Sequence, residues 1–248
     1  MKVNLGREEL EALFRNERYP LSGKYDPQWI LDNALGSQCL WLAESLTQIA
    51  GLEPGARVLD LGCGKAITSI FLAREFGVEV WAVDLTASPT ENHERIRQAG
   101  VEQLVFPLRG DARSLPFADA FFDFVLSVNA LHLFGTDDYY VPQHLARLLR
   151  PGCRVAFTVP GLIREYGEAI PEHVKPFWLD HVIAYHSPRW WRGHLEKTGL
   201  FRVQVSDNLP DGQGVDIWRF WAQGEDDALI EDDNGDNISF VRVLAERS

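Results

Sequence analysis

The sequence predicts an α/β fold built on one doubly wound, mostly parallel sheet with helices on both faces. Three observations predict it. From Ala56 onward, short apolar runs alternate with helical stretches, the pattern of βαβ units with right-handed crossovers. The first of these runs ends in an acidic residue followed by a glycine-spaced turn, Asp60-Leu61-Gly62-Cys63-Gly64. The chain also has 248 residues with no internal repeat and no low-complexity linker, so one domain can hold it all.

Taken in order, residues 1–50 read as a broken helical lid. Glu8 to Phe14 carries Leu10, Leu13 and Phe14, and Tyr19-Pro20-Leu21-Ser22-Gly23 interrupts. Trp41, Leu42, Leu46 and Ile49 then share a face, and Gly51 with Glu53-Pro54-Gly55 ends that helix. Residues 56–160 form the core, with strands at Arg57–Leu61, Val78–Asp84, Val105–Leu108, Phe121–Val128 and Arg154–Val159. Pro107 marks the third strand as an edge. Helices are expected at about Lys65–Phe76, after Asp84 to Ala99, and over Val141 to Leu149 with a stop at Pro151-Gly152.

Residues 161–186 form a proline-punctuated cap insertion, and 187–248 complete the domain. Ser187 as N-cap, Pro188 in the first turn and Gly199 past the end bound one more helix. Strands follow at Phe201–Val205 and Ile238–Leu244, with Trp218 and Trp221 on a short helical segment between them. The acidic stretch from Glu225 to Asp233 reads as a solvated loop.

Bulk properties narrow the function. The net charge is −12 and no Lys/Arg cluster is present, which argues against a nucleic-acid substrate. No apolar run is long enough to span a bilayer, and the N-terminus lacks an unbroken apolar signal segment, so a cytoplasmic setting is expected. Cys39, Cys63 and Cys153 are far apart, form no zinc pair and read as free thiols; no metal site is expected. Oligomeric state is not legible.

The chemistry concentrates at three strand ends. Gly62 and Gly64 let the backbone approach a ligand closely. A dinucleotide fingerprint would want a third glycine at position 67, where Ile67 stands. Asp60 would repel a pyrophosphate and suits a cationic ligand such as a sulfonium. Asp84 ends the second strand at the spacing from which a carboxylate reaches ribose hydroxyls. After the third strand, Asp111 can accept from an adenine amino group while the Ala112 N–H donates to a ring nitrogen.

These residues, with Leu115-Pro116-Phe117 and Leu148-Leu149-Arg150-Pro151-Gly152, resemble the ordered motifs of class I S-adenosylmethionine-dependent methyltransferases over roughly residues 40 to 160. The likeness is to the ubiquinone/menaquinone-biosynthesis and cyclopropane-synthase-like subgroup. It implies a Rossmann-like sheet of seven strands with the last antiparallel, S-adenosylmethionine as cofactor, and a small-molecule methyl acceptor. It also implies Asp84 on the ribose, Asp111 on adenine and Leu85 against the adenine face. Cys63 and Ser127 complete the expected cofactor contacts, with Tyr25 closing over them. One departure is Ala66, where the family often has a third glycine; a methyl group there reads as a mild change.

His132, just past the fourth strand, faces the expected acceptor position, either as a general base or as a pocket wall. Tyr19, Tyr25 and Trp29 are candidates for a lid over the cofactor, with core packing as the alternative; Phe177-Trp178 and Trp190-Trp191 are similarly placed between an acceptor cap and core. Ala130-Leu131-His132 lacks the glutamate that cyclopropane-synthase-like enzymes carry there, which disfavours lipid methylene transfer. Ile67 and the lack of a Tyr-x-x-x-Lys pair disfavour a dehydrogenase, and a non-catalytic cofactor-binding protein stays open.

Overall fold

The structure, a computed structural model, describes residues 6–35, 38–167, 170–177, 182–221 and 227–248. Three helices, α1 (Arg7–Phe14), α2 (Pro27–Asn33) and α3 (Cys39–Ala50), precede β1 (Arg57–Leu61). The core continues with α4 (Ile67–Phe76), β2 (Glu79–Asp84), α5 (Pro89–Gln98), β3 (Val105–Arg109) and β4 (Phe122–Val128). Then come α6 (Ala146–Leu148), β5 (Leu149–Leu162), α7 (Pro188–Glu196), β6 (Phe201–Asn208), α8 (Gln213–Trp221), α9 (Asp227–Asp233) and β7 (Ile238–Arg247).

The strands form one seven-stranded sheet in the order β3-β2-β1-β4-β5-β7-β6. The first five are parallel, and β7 lies antiparallel between β5 and β6, as the resemblance implied. The chain builds outward from β1 to β3, then returns to lay β4 on the other side of β1. That reversal opens a crevice beyond the carboxyl ends of β1 and β4.

Strand side chains alternate between two cores. Val58, Phe124, Leu126, Ala156, Phe240 and Leu244 face α3 and α4. Leu59, Leu61, Val125, Phe157, Val159, Val241 and Val243 face Leu145, Leu148 and the α7 residues Trp191 and Leu195. Pro107 does sit in the edge strand β3, where its missing N–H breaks no ladder on the open side. Ser187 caps α7 as expected, its Oγ accepting from Trp190 N at 3.3 Å.

Two expectations change. The helix read over Val141 to Leu149 is a π turn, Val141–Leu145, plus the short α6; β5 begins at Leu149, opposite Phe122, so Pro151 and Gly152 lie inside a strand. Backbone pairing with Phe122 overrides the helical spacing of the leucines. The acidic stretch is not simply loop either: Asp227–Asp233 is helical, and Asp233 is buried as an acceptor for Asn237 N, Asn237 Nδ2 and Ile238 N. Glu225, Asp226 and Trp178 lie outside the described residues. Among the described residues no helix is long and apolar enough to cross a membrane.

Candidate active site

The crevice is entered through the turn after β1. Gly62 and Gly64 have φ of +80° and +53°, the region that only glycine adopts freely. A Cβ on Gly62 would stand 2.3 Å from the Ala130 Cβ, so the loop after β4 leaves no room for a side chain there. Gly62 N and Cys63 N both donate to Val83 O, at 2.8 and 3.0 Å, tying the turn to the end of β2.

Asp84 completes that tie. Its Oδ2 accepts from Gly64 N at 2.9 Å, and its Oδ1 from Thr86 N, Ala87 N and Thr86 Oγ1 at 2.8, 2.9 and 3.1 Å. Burial raises the carboxyl's pKa, but the donors from Ala87, Thr86 and Gly64 outweigh burial and hold it below the ordinary range. Oδ2 has one donor and a carboxylate oxygen has two lone pairs, so it retains capacity for a hydroxyl. Leu85 beside it is 58% exposed, an apolar surface left open to a flat ring. Gly110 holds the next loop, where a Cβ would meet Leu115 Cδ2 at 2.9 Å, and Asp111 Oδ1 accepts from Arg113 N at 2.9 Å. Asp111 and Ala112 stay partly open to solvent at this end of the crevice.

Asp60 is placed differently from its sequence reading. It is 1% exposed, and its Oδ2 accepts from the hydroxyls of Thr68 and Ser69 at 2.5 and 2.6 Å, anchoring the start of α4. Burial pushes its carboxyl up to about 6 against those two hydroxyls. Oδ1 has no partner, which leaves one acceptor for a donor entering the crevice. The Ser127 hydroxyl is fully buried and donates to Leu61 O at 2.8 Å, stitching β4 to β1. Cys63 is buried beside the turn; burial, with Asp60 and Asp84 nearby, pushes its thiol well above the ordinary range.

The lid candidates Tyr19, Tyr25 and Trp29 all make core contacts. Tyr25 is buried, donates to Glu75 Oε1 at 3.3 Å and packs on Phe71 at 5.9 Å. Tyr19 stacks on Trp41 and bonds Gln213, and Trp29 packs against the same core. These rings join Leu10, Phe14 and Ile30 of α1 and α2 in one core. The residues that do reach the crevice come from the end of α2, the position two beyond it and the start of α3. Asn33, Leu35 and Cys39 line a cavity of about 40 Å³ with Gly62–Lys65, Ile67, Thr68, Val128 and Asn129. Lys65 Nζ donates to Asp32 O at 2.9 Å and Arg95 Nε to Asn33 Oδ1 at 2.8 Å, docking the end of α2 on the turn. The signal available in the sequence was Gly36-Ser37, a second break one helix later than the one singled out.

Beyond the end of β4, His132 sits on a short 3-10 turn and is 8% exposed. Burial alone pushes its imidazole down to about 4, so it is neutral at neutral pH. His194 of α7 steadies this turn through Gly135 O at 3.0 Å. His132 Nδ1 has no partner, and neither do Asn129 Oδ1, Thr158 Oγ1, Trp218 Nε1, or either polar atom of Gln38. A buried polar group left unsatisfied costs roughly 1–3 kcal/mol, so each of these atoms is open to a partner from outside the chain. Gln38, Asn129 and Thr158 were not singled out in the sequence, where nothing distinguishes them from helix-start and strand residues.

The family described as Methyltransferase domain matches residues 58–152. The chain is 32% identical over 217 residues to 27-O-demethylrifamycin SV methyltransferase of Amycolatopsis mediterranei, spanning 76% of this chain and 79% of that protein. It is 32% identical over 211 residues to demethylmenaquinone methyltransferase of Bacillus cereus, spanning 75% and 86%. Geranyl diphosphate C-methyltransferase from Streptomyces coelicolor A3(2), solved with Mg2+, geranyl diphosphate and S-adenosyl-L-homocysteine, superposes with a TM-score of 0.69 at 19% identity over 83% of this chain and 78% of that one, a likeness of fold.

Proposed function

This chain belongs to the class I S-adenosylmethionine-dependent methyltransferases, and from that premise we propose that its crevice binds the cofactor between the turn after β1 and the ends of β2 and β3, and presents a small-molecule acceptor beside His132. The carrying observation is Asp84: one carboxylate fixes the glycine turn and keeps a lone pair at the crevice. The donor set fits the cofactor. Asp84 would take a ribose hydroxyl through Oδ2, Leu85 the adenine face, and Asp111 with the Ala112 N–H the adenine edge. Gly62–Gly64 would admit the methionine portion, with Asp60 Oδ1 as an acceptor for its ammonium. When bound, the cofactor supplies an activated methyl group on a sulfonium.

The chain's own contribution is positioning, water exclusion and proton handling. Leu35 and Cys39 cover the turn, and His132 Nδ1 is available to receive a proton from the acceptor. A base held near 4 is weak toward a free alcohol. An oxygen that is gaining a methyl group is far more acidic, so proton transfer late in the reaction suits it. Positioning can carry much of the rate, and His132 adds to it. The net charge of −12 supports a small molecule over a phosphate polymer, and three free cysteines support a reducing, cytoplasmic setting.

Calorimetry with S-adenosylmethionine, S-adenosylhomocysteine and NAD tests the reading: the first two bind and NAD does not. Asp84→Ala lowers affinity for S-adenosylhomocysteine at least about tenfold, since charged-acceptor hydrogen bonds are worth roughly 1.5–3 kcal/mol each. Asp84→Asn, which keeps one acceptor oxygen and the side-chain shape, falls between. Unchanged affinity in both folded variants removes Asp84 from the ribose.

A further inference from the structure

Four of the residues with unpartnered atoms, Asn129, His132, Thr158 and Trp218, are linked by one circuit of contacts. Asn129 N donates to Thr158 O at 2.8 Å, and Thr158 is the register partner of Val128. Three residues past Asn129, His132 meets Tyr185 edge-on at 6.0 Å. Tyr185 lies 6.2 Å from Trp218, and Trp218 lies 5.1 Å from Phe240. Phe240 is the register partner of Pro160, which is two residues past Thr158 and therefore on the same face of the sheet. The circuit thus returns to its start. α3 packs on that face, where Arg242, the partner of Thr158 in β7, reaches Ser45 O. Its first turn carries Cys39 into the same cavity as Asn129, and Gln38 is the residue before it, 2% exposed.

We propose that Gln38, Asn129, His132, Thr158 and Trp218 form the acceptor-binding site, and that it takes an uncharged, ring-bearing molecule held through hydroxyl and carbonyl groups. The inference rests on the methyltransferase reading above and adds the class of acceptor. Its logic is complementarity. The open atoms include donors (Trp218 Nε1, the Gln38 amide, the Thr158 hydroxyl) and acceptors (Asn129 Oδ1, Gln38 Oε1), so they match a molecule that offers both. None carries a full charge. The guanidinium nearest in register, Arg242, is already closed by Asp207 at 2.8 and 3.0 Å. Among the described residues a buried carboxylate or phosphate on the acceptor would have no counter-ion there, and the open Asp60 Oδ1 would already be taken by the cofactor's own ammonium. The rings of His132, Tyr185 and Trp218 supply flat apolar walls.

Gln38 separates this from a merely structural role. Its side chain makes no cap bond to α3, so it contributes nothing to the helix that an apolar side chain of similar size would not. A residue kept polar for a ligand weakens the free protein, and replacing it restores stability while losing binding.

The test uses three probes on one ring system: 3-hydroxy-2-naphthamide, 3-hydroxy-2-naphthoate and 2-naphthylmethylammonium. Each is titrated calorimetrically into the full-length protein saturated with S-adenosylhomocysteine. The neutral amide is expected to bind at least about tenfold tighter than either ion. Gln38→Met is expected to weaken the amide at least about fivefold, leave S-adenosylhomocysteine affinity within about twofold, and raise the thermal midpoint of the ligand-free protein by about 2–5 °C. Thr158→Val, nearly isosteric, weakens the amide in the same sense. The proposal is overturned if an ion binds as tightly as the amide, if the amide fails to bind, or if Gln38→Met lowers the midpoint without changing amide binding. Failure of S-adenosylhomocysteine itself to bind would instead overturn the underlying methyltransferase reading.

Discussion

The two halves of the crevice use their polar groups in opposite ways. On the cofactor side, the Ser127 hydroxyl, the Gly62 and Cys63 N–H groups and most of the Asp84 carboxylate are bonded within the protein. On the acceptor side, Gln38, Asn129, His132, Thr158 and Trp218 hold buried atoms with no protein partner. One half is a rigid frame that keeps a few lone pairs at its edge. The other holds several buried polar atoms with no protein partner. Rigidity suits a cofactor shared across a family, and unsatisfied polarity suits recognition of a particular acceptor.

The frame is easiest to break at Gly62. Gly62→Ala must hold alanine at φ +80° and push the Ala130 Cβ from 2.3 Å. Left-handed backbone plus overpacking costs roughly 2–4 kcal/mol, and the shift of Ala130 reaches His132 two residues on. Urea unfolding is expected to show that loss, with cofactor affinity falling alongside it. A variant with wild-type stability would mean that the loop after β4 is looser than described and that the frame is not rigid.

Proton linkage sharpens the comparison, because Asp60 on one side and His132 on the other are buried groups that titrate between about pH 4 and 6. Burial raises Asp60 from 3.8 to about 6, so the folded state keeps a proton that the unfolded state has released. Its contribution to stability is therefore lost as pH rises from about 4 to about 6. Burial lowers His132 from 6.5 to about 4, so the unfolded state binds the proton first. Its contribution grows as pH rises through nearly the same window. Each spans roughly 3 kcal/mol, and in the wild type they largely cancel. Against wild type at each pH, Asp60→Asn should gain stability from pH 4 to 6 and His132→Gln should lose it. Other carboxylates drop out of that difference. Either sign reversed would remove the assigned burial as the cause.

The frame was legible in the sequence because backbone geometry writes itself into residue type. Gly62 and Gly64 are required by positive φ and close contact, Asp84 by the donors that converge on it, and Pro107 by its edge strand. The acceptor side was not. Thr158 meets Asn129 only through the register of β4 and β5, and Trp218 reaches Tyr185 only after α8 folds over β7. Nothing local to Gln38 or Thr158 records those partners. Tyr25 was ambiguous for a related reason: an aromatic beside a break looks the same in sequence whether it covers a ligand or packs on a ring such as Phe71. The place of His132 just past β4 was legible from strand order alone.

The smallest effect is expected at Ala66, where the sequence departs from the family's third glycine. The change is less mild than a methyl group suggests: Ala66 starts α4 at φ +61° and ψ +20°, fully buried, in a conformation that alanine adopts at a cost of roughly 1–2 kcal/mol. Ala66→Gly relieves that strain. It also removes a buried methyl group, worth about 0.8 kcal/mol, and gives the unfolded chain more freedom, worth about 0.5–1 kcal/mol. These terms oppose, so stability should change by less than about 1 kcal/mol. The turn's hydrogen bonds, Ala66 N to Cys63 O at 2.9 Å and Ile70 N to Ala66 O at 3.0 Å, involve only backbone and survive the substitution. Affinity for S-adenosylhomocysteine should therefore stay within about threefold, in contrast to Gly62→Ala one turn earlier. A gain above about 2 kcal/mol would show that the frame holds more strain at Ala66 than its backbone angles imply. A large loss of affinity would show that the methyl group itself shapes the cofactor site.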